Sequence, residues 1–414
     1  MQSRNLVSLI EEPVIHAPMH GVMKCSLLLL AVFASSLSAA DWPVWRGPNK
    51  TGVSSEKLAG TQVKELWKAQ IGLGFASFTV ADARVFTSGH ADGQDTVFCF
   101  DAASGKPVWK HSYKAELGDK YYEGGTSAGP VIEGDKAWHV SRWGDLICFE
   151  AATGKVVWQK NFLEETGAEI PEWGFSGSVL IHGANLILNI GQNGAAFEKA
   201  TGKLVWKSEA DTAGYSTPHL ITVNGKEQVV LSTRRAYKGV DPSNGSVLWE
   251  HTWNTSYGVN AADPVLSGTK LFISSGYNKG CAVLDLASAE PSEVWRSRVM
   301  KNQFNSSVLI DGHLYGSDGD EGKTASLKCI DFATGTEKWN AADVGFCSLM
   351  AADGKLIVLS AKGELIIAKA DPAKFEPISR TRLLSGRYWS APVLANSRIY
   401  ARNAAGDMVC VSVK

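Results

Sequence analysis

Asp101-Ala-Ala-Ser-Gly-Lys-Pro-Val-Trp109 decides the fold, because the chain repeats it. The phrase is Asp/Glu-x-x-Thr/Ser/Asn-Gly-x-x-x-Trp. It returns at Glu150–Trp158, Glu198–Trp206, Asp241–Trp249 and Asp331–Trp339, with a stretched copy from Asp285 to Trp295. A fixed period of this length marks a repeat architecture, and each unit holds a four-stranded sheet rather than a domain. A strand ends at the acidic residue, as in Val97-Phe98-Cys99-Phe100-Asp101. Asp and Ser/Thr/Asn side chains then turn the chain, and Gly accepts a positive φ. The next strand carries Trp, a large ring suited to wedge between sheets. Trp67, Trp109, Trp158, Trp206, Trp249, Trp295 and Trp339 are the expected structural docking residues.

A second set of hairpins interleaves with the first. Its turns centre on Asp82, Gly134, Gly183, Gly225, Gly268, Gly312, Gly354 and Asn396, which makes eight units. Trp67 precedes the first hairpin, while Met408–Val413 follows the last and the chain then stops. The eighth unit therefore lacks its outermost strand, and Val63–Ala69 is spare. If that strand fills the gap, the ring closes and only short edges remain. The expected fold is all-β, an eight-bladed β-propeller of four-stranded antiparallel blades, with the last blade closed by the N-terminal strand. Residues 41–414 then form one domain. No stretch of the mature chain has the apolar period of a substantial helix.

Residues 1–40 read differently. Met23-Lys24 and the apolar run Leu27–Phe33 precede Ser38-Ala39-Ala40, the pattern of a secretory signal cleaved after Ala40. Residues 1–22 resemble an upstream extension, which puts the start at Met23. The apolar run is too short to span a bilayer. An exported, periplasmic or extracellular chain is expected. Removing residues 1–40 takes two basic and two acidic residues from 41 and 42, leaving 39 and 40 and a net charge still of −1. No basic stripe or polybasic segment appears, which argues against nucleic acid and an anionic membrane surface as partners. A monomer is expected.

Cys99, Cys148 and Cys329 share one slot of the repeat phrase, and Cys410 occupies the matching strand of the last unit. Equivalent positions in neighbouring blades lie beyond disulfide reach, ~7 Å between Cα atoms. Buried free thiols are expected, and no metal-ligand spacing occurs.

The repeat phrase resembles the tryptophan-docking motif of quinoprotein (PQQ-type) β-propellers, over essentially the whole mature chain. Asp41-Trp42-Pro43-Val44-Trp45-Arg46-Gly47-Pro48 with Thr51-Gly52 resembles the leader of secreted planctomycete PQQ-like repeat proteins. The resemblance points to two branches. PQQ-dependent alcohol dehydrogenases carry a vicinal Cys-Cys disulfide, a Ca²⁺ held by Glu, Asn and Asp, and a catalytic Asp. The non-enzymatic branch includes the propeller lipoprotein of outer-membrane protein assembly, BamB. This chain has no adjacent cysteines and is much shorter than the enzymes, so the BamB-like branch is the nearer one. Asp318-Gly319-Asp320-Glu321 is the densest acidic run and reads as a solvated turn. Gly125-Thr126-Ser127-Ala128-Gly129 imitates a nucleophile elbow, but a strand rather than a helix follows it.

One feature points to a ligand. Phe75, Trp173, Phe175, Tyr215, Tyr257, Phe304, Phe346, Tyr388 and Trp389 open the innermost strands. His90, Arg142, Trp143, Gln192, Asn193, Arg234, Arg235, Asn278, Asp318 and Arg402 fall in loops between second and third strands. In a propeller both sets reach the same face. The candidate ligand mouth is Arg142, Trp143, Trp173, Arg234, Arg235, Asn278, Trp389 and Arg402, where aromatics and Arg suit a planar anion, a sugar or a peptide. The opposing reading has the aromatics plug the channel and the arginines satisfy backbone carbonyls. The function read from the sequence is a binding or scaffold propeller without catalysis, requiring no cofactor and engaging a protein or cell-envelope ligand. The alternative is a PQQ-dependent oxidoreductase or PQQ binder.

Overall fold

The computed structural model describes residues 40–414; the expected apolar signal run, the expected start at Met23 and Cys25 lie outside them. Each repeat folds into one four-stranded antiparallel sheet, and eight sheets make the ring. Blade 1 is Thr79–Ala81, Arg84–Ala91, Gln94–Asp101 and Pro107–Lys114, in that order from the axis outward. Blades 2 to 6 start at Val131, Leu180, His219, Val265 and Val308. Blade 7 is Cys347–Ala352, Lys355–Ser360, Glu364–Lys369 and Pro377–Arg382. Among the described residues the one helix is a single turn, Leu163–Thr166. None is long and apolar enough to cross a membrane.

Blade 8 closes the ring as expected. Val393–Ala395, Arg398–Arg402 and Asp407–Val413 come from the C-terminus, and Val63–Gln70 pairs antiparallel with Asp407–Val413 as the outermost strand. Trp67 lies opposite Cys410 there.

The turn chemistry works as the phrase implies. The Asp101 carboxylate accepts from the Ser104 backbone N–H at 2.8 Å, and Gly105 takes φ +69°. Gly105 has a second reason to lack a side chain, because a Cβ would come 2.4 Å from the Trp67 ring of the neighbouring blade. Trp Nε1 atoms donate across the blade junctions: Trp67 to the Ala102 carbonyl at 3.1 Å, Trp109 to Ala151 at 2.9 Å, Trp158 to Lys199 at 3.2 Å. Trp206, Trp295 and Trp339 do the same to Pro242, Phe332 and Asp371. Trp249 departs, donating to the Gln228 side chain of its own blade. Its neighbour is the stretched copy Asp285–Trp295, which lacks the Gly and offers no close seat.

The core lies between blades. Phe86, Val97, Cys99 and Trp109 of blade 1 pack on Ala137, Ile147 and Phe149 of blade 2. Cys99, Cys148, Cys281, Cys329, Cys347 and Cys410 are unpaired and buried. Burial pushes the Cys99 and Cys410 thiols up to about 12, so they behave as small apolar groups.

Candidate functional site

The central channel has two unlike ends. One end is floored by the segment around Trp42–Glu56, which crosses the innermost strands. Trp42 exchanges backbone hydrogen bonds with Val80 of blade 1 at 2.8 and 2.9 Å, and the Pro43 carbonyl accepts from Ile132 of blade 2 at 2.8 Å. Val53–Ser54 adds a fifth, parallel strand to blade 7 against Ala351–Ala352. The Glu56 carboxylate accepts from the Asn396 and Ser397 backbone N–H groups of blade 8, at 2.6 and 2.7 Å.

The pin of this floor is a buried polar knot. Trp45 Nε1 donates to Asp263 of blade 5, and Arg46 Nη2 donates to the Ser307 carbonyl beside blade 6 at 2.7 Å. Arg46 Nε lies 4.0 Å from Asp263, and both side chains are almost wholly buried. Burial raises the Asp263 carboxyl and lowers Arg46, outweighing their mutual attraction. Arg46 holds φ +62°, a left-handed backbone that persists only because these bonds fix it. The sequence reading treated this leader as a family signature and missed its place in the channel; its two Trp and one Arg in eight residues were the available signal.

Above the floor lies a cavity of about 390 Å³ lined from all eight blades. Phe75, Tyr122, Trp173, Tyr215, Phe304 and Trp389 supply its aromatic wall. Trp389 stacks on Phe75 with centroids 4.5 Å apart and an interplanar angle of 24°, and Phe304 and Tyr122 flank it at 5.1 and 5.7 Å. Trp173 sits between Tyr121 and Tyr215, at 5.6 and 5.8 Å. Phe175, Phe346 and Tyr388 are buried and line no part of the cavity.

Of the eight candidate mouth residues, the structure brings Trp173 and Trp389 together at the cavity. Arg142 is buried, donating to the Gly125 carbonyl at 3.0 Å and the Trp173 carbonyl at 2.7 Å. Arg402 is fully buried on the carbonyls of Ser88 and Gly72. Both hold neighbouring blade segments, the second of the two roles the sequence left open for arginine. Trp143 donates its Nε1 to the Glu116 carbonyl at 2.7 Å. Arg234, Arg235 and Asn278 are exposed and do not line the cavity.

The acidic run is not a solvated turn. Asp318 is buried, with Lys328 at 3.1 Å and Lys301 at 3.4 Å, and the Asp320 carboxylate accepts from the Tyr277 N–H at 2.7 Å. The Asp318 ion pairs lie within blade 6 and its lead-in, and Asp320 reaches across to the backbone of blade 5. Among the described residues no three His, Cys, Asp or Glu side chains gather as a metal-binding group.

The arrangement is a quinoprotein-type propeller. The family model described as outer membrane protein assembly factor BamB matches residues 93–341, more than half of the chain, and the chain belongs to that family. The crystal structure of BamB from Moraxella catarrhalis superposes with a TM-score of 0.62 at 16% identity, covering 85% of this chain and 100% of that one. Quinohemoprotein alcohol dehydrogenase from Comamonas testosteroni gives a TM-score of 0.67 at 14% identity, covering 90% of this chain and 80% of that one. Europium-containing methanol dehydrogenase gives 0.67 at 11% identity, covering 89% and 90%. At such identities the likeness concerns the fold, which is common to binding proteins and enzymes. No curated protein matches the chain.

Proposed function

We propose that this chain is an exported, non-catalytic binding propeller that holds its ligand at the aromatic mouth of the central cavity. The observation that carries this reading is an aromatic cavity, floored by the leader segment, whose two charged lining residues face each other. A floored cavity with half-exposed rings at its entrance is built to hold a ligand rather than pass it.

The fit to PQQ is poor. Its carboxylates call for free cationic groups, best supplied by bidentate arginines. Arg46 is the cavity's arginine, and Asp263 already faces it. Arg142 and Arg402 are spent on carbonyls. The aromatic wall would stack on a planar quinone, which keeps weak PQQ binding open to test while giving it no electrostatic anchor. The match to a family model described as outer membrane protein assembly factor BamB is in keeping with a role in engaging a protein or envelope ligand.

Titrating PQQ with Ca²⁺ into the mature protein, while following Trp fluorescence and dye reduction with alcohols or aldoses, tests this. No turnover is expected. Dye reduction that requires PQQ and disappears in a Trp173→Ala variant would overturn the reading. Sequencing the exported protein is expected to find Asp41 at its N-terminus.

A further inference from the structure

We infer that the ligand at the cavity mouth is a neutral saccharide. This rests on the mouth being the binding face and goes further by naming the ligand's chemistry. Three observations select it.

The first is what the backbone leaves unoffered. At the floor the channel edges do accept an extended segment: the leader pairs with Val80 of blade 1 and Ala351 of blade 7. At the mouth the corresponding groups are already used. The Phe75 and Ala76 N–H groups donate to the Thr126 carbonyl at 2.7 and 3.2 Å, and the Tyr215 N–H donates to Asn260 at 2.9 Å. Serine hydroxyls cap the matching carbonyls, Ser390 on Phe75, Ser348 on Trp389 and Ser176 on Tyr215, at 2.7, 2.7 and 2.9 Å. An extended peptide binds a sheet edge through its main chain, and this edge is spent. Recognition at the mouth therefore falls to side chains.

The second is charge. Arg46 and Asp263 are the charged residues of the cavity lining, and they face each other at its floor. Around the entrance Arg387 pairs with Glu123 at 3.0 Å and Glu321 at 3.7 Å, and Lys120 pairs with Glu172 at 3.4 Å. An ionic ligand would be desolvated with no unmatched counter-charge in the wall, a cost it cannot recover.

The third is the pairing of ring faces with neutral polar groups. One aromatic group sits on blades 6, 8 and 1, around Trp389, and another on blades 3 and 4, around Trp173. The Ser127 hydroxyl also lines the cavity, as does the Gln303 amide, which accepts from the Glu321 N–H at 2.7 Å and donates one of its two N–H groups to the Tyr277 hydroxyl at 3.2 Å. A pyranose ring offers an apolar C–H face to aromatic surfaces and a girdle of hydroxyls to such donors and acceptors.

The experiment uses the mature chain with three neutral probes, cellohexaose, maltohexaose and chitohexaose, followed by calorimetry and Trp fluorescence. At least one is expected to bind, with an affinity that does not change with salt, since no ion pair is involved. Trp173→Ala is expected to weaken that binding roughly tenfold, and Trp389→Ala, which removes the ring at the centre of the other aromatic group, by a similar factor. Circular dichroism melts check that both variants remain folded. Absence of heat and of fluorescence change with all three sugars at millimolar concentration overturns the saccharide proposal. If PQQ or an extended aromatic-rich peptide then perturbs the same tryptophans and Trp173→Ala abolishes the effect, the mouth stands as the binding face and only its ligand class was wrong. If a captured partner cross-links solely to the leader side of the ring, the binding-face reading falls with it.

Discussion

The two ends of one channel are built from different physics. The floor is held by main-chain pairing, a buried Arg46–Asp263 contact and carboxylate caps from the buried Glu56. The mouth is held by half-exposed rings that touch mainly one another. Backbone ladders and buried polar knots are cooperative and intolerant of change, because each lost partner strands another group without water. Surface aromatics lose only their own contacts when replaced. On the proposed reading the same ring has a stability end and a recognition end, and a substitution should reveal which end it touches.

The largest effect is expected from deleting residues 41–70, which removes the floor and the closing strand Val63–Gln70 together. The exposed edge of Asp407–Val413 and the emptied Trp67 seat should leave an aggregating chain. A truncated protein that elutes as a monomer and melts like the intact one would end the closed-ring account. Next comes Arg46→Ala. It leaves Asp263 buried opposite no charge, and about 3 kcal/mol of unfolding free energy should disappear in urea titrations. A loss as small as that of a mouth variant would erase the distinction between the two ends.

Acid should act on the framework and spare the mouth. His139 is buried in blade 2, its Nε2 3.0 Å from the Tyr113 hydroxyl, and burial lowers its pKa to about 3. The unfolded chain binds this proton near pH 6.5, so it holds more protons than the native state between about pH 6.5 and 3. Stability conferred by neutral His139 is therefore present above pH 6.5 and lost as pH falls through that window, with a slope of up to about 1.4 kcal/mol per pH unit. His139→Gln should flatten the decline measured by denaturant titration at stepped pH. Ligand affinity at the mouth should stay level over the upper part of the same range, because its lining carries no free titratable group. The smallest effect is expected from Tyr121→Ala, a half-exposed ring at the rim, at about 0.5 kcal/mol or less in stability.

The sequence reached the fold through its repeats. An acidic residue that caps its own turn, a glycine with positive φ and a Trp four residues on are local instructions, and copying them along the chain fixes blade number and ring closure. Trp249 shows the limit of such copying: its residue type is right, but the neighbouring phrase is stretched, so its N–H turns to Gln228. The site was half legible. Trp173 and Trp389 reach the cavity because inner strands open toward the axis in every blade. Arg142 and Arg402 do not, since a long side chain at a blade edge goes to whichever carbonyls the next blade leaves unpaired, and no repeat phrase specifies those.

What the sequence determined by itself is the part governed by short range: turns, strands, their number and the offset that closes the ring. What only the tertiary structure decided is where the non-repeating residues go. Trp45 meets Asp263 across 218 positions of sequence. The leader becomes a floor because its backbone and its two tryptophans find partners on blades 1, 2, 5 and 7 at once. Those partners converge only when the ring has closed, so which end of the channel the leader crosses and which end keeps its rings half-exposed are properties of the assembled circle.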